Sequence, residues 1–245
     1  MKNIIFLIFL ALSIYMKSFC QDAPLNPLNH NANIEFLTSE TYNMEWIMLK
    51  DSTEVKIGEI ETQIKKEKEL IYFITSVNIK QSSTQWIDST VISSDNLKPI
   101  YHSSFNQNRD MVLKFDDNIT GYYFDKQTNT KTQILEETNK PFFDSNFYPQ
   151  LIRLLPLAKD YSTSISIFDY NPDSKIGVIK ATIKNTTKIK LDFDGKTHNI
   201  WKVETTDDIS DNSVLNTYYI EVSKRKILKQ EIDFGGKKMI MRLID

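Results

Sequence analysis

The sequence predicts a mainly β protein: a large antiparallel curved sheet with one central helix packed on its concave face. Three observations carry this. Apolar residues recur with period two in a succession of short segments separated by polar turns, which is strand spacing rather than helix spacing. Helical spacing is confined to one stretch near the middle of the 245-residue chain. No Pro/Gly/Ser-rich linker divides the strands before that stretch from those after it, so one continuous sheet is favoured over two domains.

At the N-terminus, Lys2 precedes an apolar run from Ile4 to Tyr15, and Ser18-Phe19-Cys20 then leads into Gln21. That order of charged, apolar and small residues marks residues 1–20 as a secretory signal peptide. The run falls short of the roughly 20 residues a helix needs to cross a bilayer. Cys20 is either the small residue before the cleavage point or the lipid-modified first residue of a lipoprotein. Bulky Phe19 argues for ordinary cleavage, which leaves a mature chain without cysteine, exported to the periplasm or the extracellular space. Residues 21–34 carry Pro24, Pro27 and several asparagines with little apolar periodicity, and are expected to be a flexible tether. Residues 35–245 are expected to form a single β-rich domain.

Within that domain, Ile71, Phe73, Val77 and Ile79 share one face of a strand over Leu70–Ile79, and Met111, Leu113 and Phe115 repeat the pattern. Ile179, Ala181 and Ile183 alternate with Lys180, Thr182 and Lys184, Ile189, Leu191 and Phe193 alternate with Lys188, Lys190 and Asp192, and a turn at Asn185-Thr186 is predicted between them. One buried and one wet face is an antiparallel signature. Further strands are predicted at His198–Thr206, Leu215–Val222, Ile227–Phe234 and Met239–Leu243, with Asp194-Gly195 and Gly235-Gly236 as hairpin turns. The helix is predicted over Ser145–Leu155, where Phe147, Leu151, Leu154 and Leu155 fall on one face. Asp144 or Ser145 suits its cap, Pro149 fits only a first turn, and Pro156 ends it.

Removal of Lys2 and Lys17 with the signal moves the formal charge from -2 to about -4, 28 bases against 32 acids. Such mild acidity offers no footprint for nucleic acid. His30, His102 and His198 lie far apart in the sequence and no thiol remains in the cleaved chain, so no metal site and no cofactor is expected. The six glycines form no phosphate loop. The acidic clusters around Asp173, Asp194 and Asp208 lack calcium-loop spacing and suit solvated turns. Lys180, Lys184, Lys188, Lys190, Lys196 and Lys202 suit a wet sheet face that discourages edge pairing. What remains is the aromatic approach to the helix, Phe142, Phe143, Phe147 and Tyr148 with Leu151, Leu154 and Leu155. These seven side chains either fill the core or line a cavity for an apolar ligand.

Five segments together carry a resemblance: Asp95 to Ile100, Met111 to Phe115, Ile119 to Asp125, Pro141 to Pro149 and Ile167 to Pro172. They resemble an uncharacterised family of exported proteins of gram-negative bacteria, similar in architecture to the outer-membrane lipoprotein carriers. The resemblance implies an incomplete barrel with an apolar interior. It offers no catalytic residues to transfer. The leading expectation is a non-enzymatic envelope protein that binds a lipid, acyl chain or lipidated partner between helix and sheet. The alternative is a structural or interaction module that docks another envelope protein, with the helix simply completing the core. The first requires an open apolar concavity and the second a filled one. A hydrolase is the third reading, and its mark would be His102 or His198 beside an acid.

Overall fold

The computed structural model describes residues 23–51, 53–80, 82 and 84–244. The export signal expected at residues 1–20 lies outside them. Fifteen strands form one sheet. The first eight are β1 (Glu40–Lys50), β2 (Thr53–Glu67), β3 (Leu70–Ile79), β4 (Trp86–Ser93), β5 (Pro99–Phe105), β6 (Arg109–Phe115), β7 (Ile119–Asp125) and β8 (Thr130–Glu136). A two-residue β9 (Phe143–Asp144) leads into the helix α1 (Tyr148–Leu154). The remainder are β10 (Thr163–Tyr170), β11 (Ile176–Phe193), β12 (Lys196–Asp207), β13 (Leu215–Glu221), β14 (Ile227–Asp233) and β15 (Lys238–Ile244).

The spatial order runs from β8 back to β1, then from β15 back to β9. Each arm is a meander, because short polar turns allow consecutive strands to pair as antiparallel neighbours. The arms join where the two ends of the domain meet, β1 against β15, with Asn43 opposite Ile244 and Leu49 opposite Lys238. Among the fifteen strands only β9, beside β10, pairs in parallel, and Leu25 adds an isolated parallel bridge to Ile165. The result is a single sheet, open between β8 and β9, that matches the incomplete barrel expected.

Period two sets which face is buried. Ile71, Phe73 and Val77 of β3 point into the core, as do Met111, Leu113 and Phe115 of β6. In β2, buried Ile60, Thr62 and Ile64 alternate with exposed Glu59, Glu61 and Gln63. Asp194-Gly195 and Gly235-Gly236 take the hairpin positions with positive φ at all four residues, as tight hairpin turns require. The turn predicted at Asn185-Thr186 does not exist. β11 runs unbroken through it, paired to β12 on both sides, with a bulge between Ile183 and Asn185. A bulge keeps the ladder while adding bend, and Thr186 stays buried, its hydroxyl donating to the Tyr161 carbonyl at 2.9 Å.

The helix is shorter than predicted. Asp144 Oδ1 accepts the backbone N–H groups of Asn146 (2.9 Å) and Phe147 (3.2 Å), a local turn that competes with helix. Helical geometry therefore begins at Tyr148, with Pro149 in the first turn. The segment read as a tether lies against the domain: the Leu25 N–H donates to Ser164 O, the Ser166 N–H donates to Leu25 O, both at 2.8 Å, and the Asn33 N–H donates to Leu154 O at 2.8 Å.

Two apolar clusters result. The larger packs α1 against β1–β4 and β10–β15. The smaller spans the open seam, placing Met111, Leu113, Phe115, Ile119 and Ile134 against Phe168 and Tyr170. The seam is thus bridged by aromatic contacts, Phe115 with Phe168 at 5.9 Å and Tyr123 with Tyr170 at 6.2 Å between ring centroids.

Candidate functional site

The segment from Lys140 to Asn146 crosses the interior of the half-barrel and reaches two cavities, one apolar and one polar, while the residues just beyond it fill the space between helix and sheet. Phe143, Phe147, Leu151 and Leu155 are fully buried, with Leu154 and Tyr148 nearly so. Phe147 packs on Phe73 at 5.1 Å and Phe143 on Phe147 at 6.4 Å. The Tyr148 hydroxyl donates to Asp207 Oδ2 at 3.1 Å, and burial, with Tyr218 and Asp207 beside it, pushes that phenol well up. Arg153, also buried, donates to Glu40 at 2.7 Å. Six of the seven sequence-predicted site residues are therefore core contacts in this state.

The seventh, Phe142, sits elsewhere. It walls a cleft of about 290 Å³ together with Pro27, Leu28, Pro99, Phe115, Ile119 and Pro141, with Asn96, Lys98, Asp116, Asp117, Thr138, Asn139 and Lys140 completing its lining. The start of β5, the end of β6, the start of β7 and the N-terminal segment converge here. Phe142 is fixed by Phe115 at 5.7 Å and Phe168 at 5.2 Å. The N-terminal wall is positioned by the His30 ring, whose Nε2 lies 3.1 Å from Asn96 O. Burial pulls the His30 pKa down, against the pull of that hydrogen bond, and Nδ1 accepts the Ala32 N–H at 3.3 Å. Leu28 remains 81% exposed at the lip, an uncovered apolar group beside an apolar cleft.

The polar cavity, about 260 Å³, lies at the other end of the β5–β6 pair. His102 on β5 directs Nδ1 to Asp144 Oδ2 at 2.8 Å, both side chains buried. Thr90 on β4 donates to Asp144 Oδ1 at 3.2 Å and accepts from Asn146 Nδ2 at 3.0 Å. Burial pulls the His102 pKa down, but Asp144, with Asp88 and Asp169 behind it, more than reverses this and leaves it raised. Asp169 is itself raised, chiefly by burial. The arrangement offers hydrogen-bond donors and acceptors around an oriented imidazole. His198 also lies beside an acid, 3.2 Å from Glu221, on the β12–β13 pair.

Sequence reasoning named His102 and treated Asp144 as a helix cap, and it missed Leu28, Pro99, Phe115 and Ile119 as cleft walls. The signal that could have found the cleft is the Pro141-Phe142 step itself, an aromatic displaced from the helical face. Among the described residues, no group of three or more His, Cys, Asp or Glu converges on a metal position, and no helix is long and apolar enough to cross a membrane. The lysines of β11 at 180, 184, 188 and 190 are exposed, and Lys202 pairs with Glu204 at 2.7 Å. Residues 41–242 match the family model DUF3108, described as a protein of unknown function. No curated protein matches the chain.

Proposed function

We propose that this chain, which belongs to the DUF3108 family of proteins of unknown function, is a non-enzymatic envelope protein that binds the acyl chain of a lipid or lipidated partner after export. The observation that carries the proposal is the cleft walled by Phe142, Phe115, Ile119, Pro99 and Leu28. Its place differs from the one first expected, because the space between helix and sheet is occupied by the protein's own side chains. Phe142 belongs to both expectations.

Physical chemistry supports a chain-like apolar occupant. Each methylene removed from water contributes about 0.8 kcal/mol, so six methylenes contribute about 5 kcal/mol before ordering costs. Lys98 and Lys140 line the same cleft together with Asp116 and Asp117, so its polar rim is charge-balanced and selects no sign of head group. The resemblance to the lipoprotein carriers read from the sequence points the same way.

Solvent extraction of the purified protein followed by mass spectrometry, with titration by a fluorescent long-chain fatty acid, tests the proposal. Saturable uptake is expected, weakened about tenfold or more by Phe142→Asp or Ile119→Asp, equal to at least 1.4 kcal/mol. A protein that carries and takes up no acyl chain, or takes it up equally well in both variants, overturns it.

A second reading is favoured by a different observation. β8 is a free edge, and Thr130 to Gln133 and Leu135 are exposed along it, so a partner strand could add there. Absence of acyl uptake with capture of a defined envelope partner through β8 would favour this reading.

A further inference from the structure

The polar cavity has a composition that selects among ligand classes. Asp144 is committed: its carboxylate receives His102, Thr90 and two backbone N–H groups. His102, which lines the cavity, consequently holds its ring fixed through Nδ1, and Nε2 has no hydrogen-bond partner among the described residues. Arg109 lines the same cavity with one long contact, Nη2 to Ser104 Oγ at 3.4 Å, and its buried Nε has no partner. Opposite these donors stand two carboxylates. Asp88 accepts the Trp86 indole N–H at 2.8 Å and Asp169 accepts the Ser145 hydroxyl at 2.7 Å, and each keeps acceptor capacity.

An anion entering this space meets Asp88 and Asp169. A cation meets Arg109 and His102. A neutral ligand with several hydroxyl groups accepts from the guanidinium, pairs in either sense with the imidazole Nε2 and donates to the carboxylates, so it matches both kinds of group. The Trp86 ring, fixed by its own hydrogen bond, supplies an apolar surface beside them. The volume, about 260 Å³, lies just under the roughly 300–1,000 Å³ of pockets for drug-sized ligands, which suits one ring. Nucleophilic chemistry is disfavoured, because Ser104 and Ser145 are bonded to Arg109 and Asp169 and neither hydroxyl is paired with His102.

We infer that the cavity between β4, β5, β6 and β10 is a binding site for a single neutral sugar ring, oriented by His102, Arg109, Asp88 and Asp169. It is independent of the acyl cleft.

Saturation-transfer NMR and calorimetry with glucose, N-acetylglucosamine and chitotriose test this, with phosphate and putrescine as charged controls. Millimolar, saturable binding of at least one sugar is expected, weakened about tenfold or more by Arg109→Met and by Asp169→Asn, with neither control competing. Arg109→Lys, which keeps the charge and loses the planar fork, serves where Arg109→Met fails to melt cooperatively, and is expected to weaken binding as well. No binding of any of the three sugars, binding unchanged in the variants, displacement by phosphate or putrescine, or cleavage of chitotriose each overturns the inference.

Discussion

Asp144 is fully buried and serves four donors, so its replacement removes more than one contact. Asp144→Ala leaves the His102 ring and two backbone N–H groups unpaired in the interior, and a loss of roughly 3–5 kcal/mol is expected in denaturant unfolding. His102 adds a pH signature. Its pKa is raised in the folded protein, since Asp144, Asp88 and Asp169 outweigh the opposing effect of burial. A raised histidine contributes fully below its unfolded value of 6.5 and loses that contribution as pH rises through the folded value. The Tm gap between the wild type and His102→Gln is therefore expected to be widest below pH 6.5 and to narrow towards alkaline pH; a gap constant with pH would contradict this. Asp169, raised chiefly by burial, loses its contribution in the acid range above 3.8, a separate window. The pair was legible only in part. His102 stood out by residue type, but its acid lies 42 residues away, and no local spacing reports a contact of that kind.

At the scale of elements, α1 shows propensity and packing in agreement. Phe147 and Leu151 are fully buried on the face that the three-and-four spacing predicted. Leu151→Ala is expected to cost about 2–5 kcal/mol, measured by chemical denaturation. Gly121 on β7 has φ +155°, and a Cβ there would lie 1.8 Å from the Val112 carbonyl oxygen of β6. Gly121→Ala is thus expected to destabilise by at least about 1–3 kcal/mol, because backbone must move. β3 was predicted with its observed bounds, since period-two alternation is carried by adjacent residues. The Asn185-Thr186 turn failed for a physical reason. A polar pair interrupting two apolar runs has the same appearance whether the chain reverses or bulges, and pairing to β12 decides which.

At the scale of the whole molecule, side chains rather than strand pairing bridge the open seam. Phe168 on β10 contacts both Phe115 and Phe142, joining the two ends of the sheet and one wall of the apolar cleft. Phe168→Ala is expected to cost about 3–5 kcal/mol. Hydrogen exchange should accelerate in β6–β8, with little change where β1 pairs with β15. Uniform acceleration across the sheet would show that the seam carries no separate stability. The same variant should weaken fatty-acid uptake, because Phe142 loses its support. Sequence alone determined the β class, the alternation of buried faces, the hairpins at Asp194-Gly195 and Gly235-Gly236 and the existence of α1, all governed by interactions between near neighbours along the chain. The joining of β1 to β15, the filling of the space under α1, the placement of Phe142 in a separate cleft and the meeting of His102 with Asp144 were decided by the tertiary structure. Each depends on how far a fifteen-stranded sheet twists and curls before its ends approach, and that curvature is a sum over every strand.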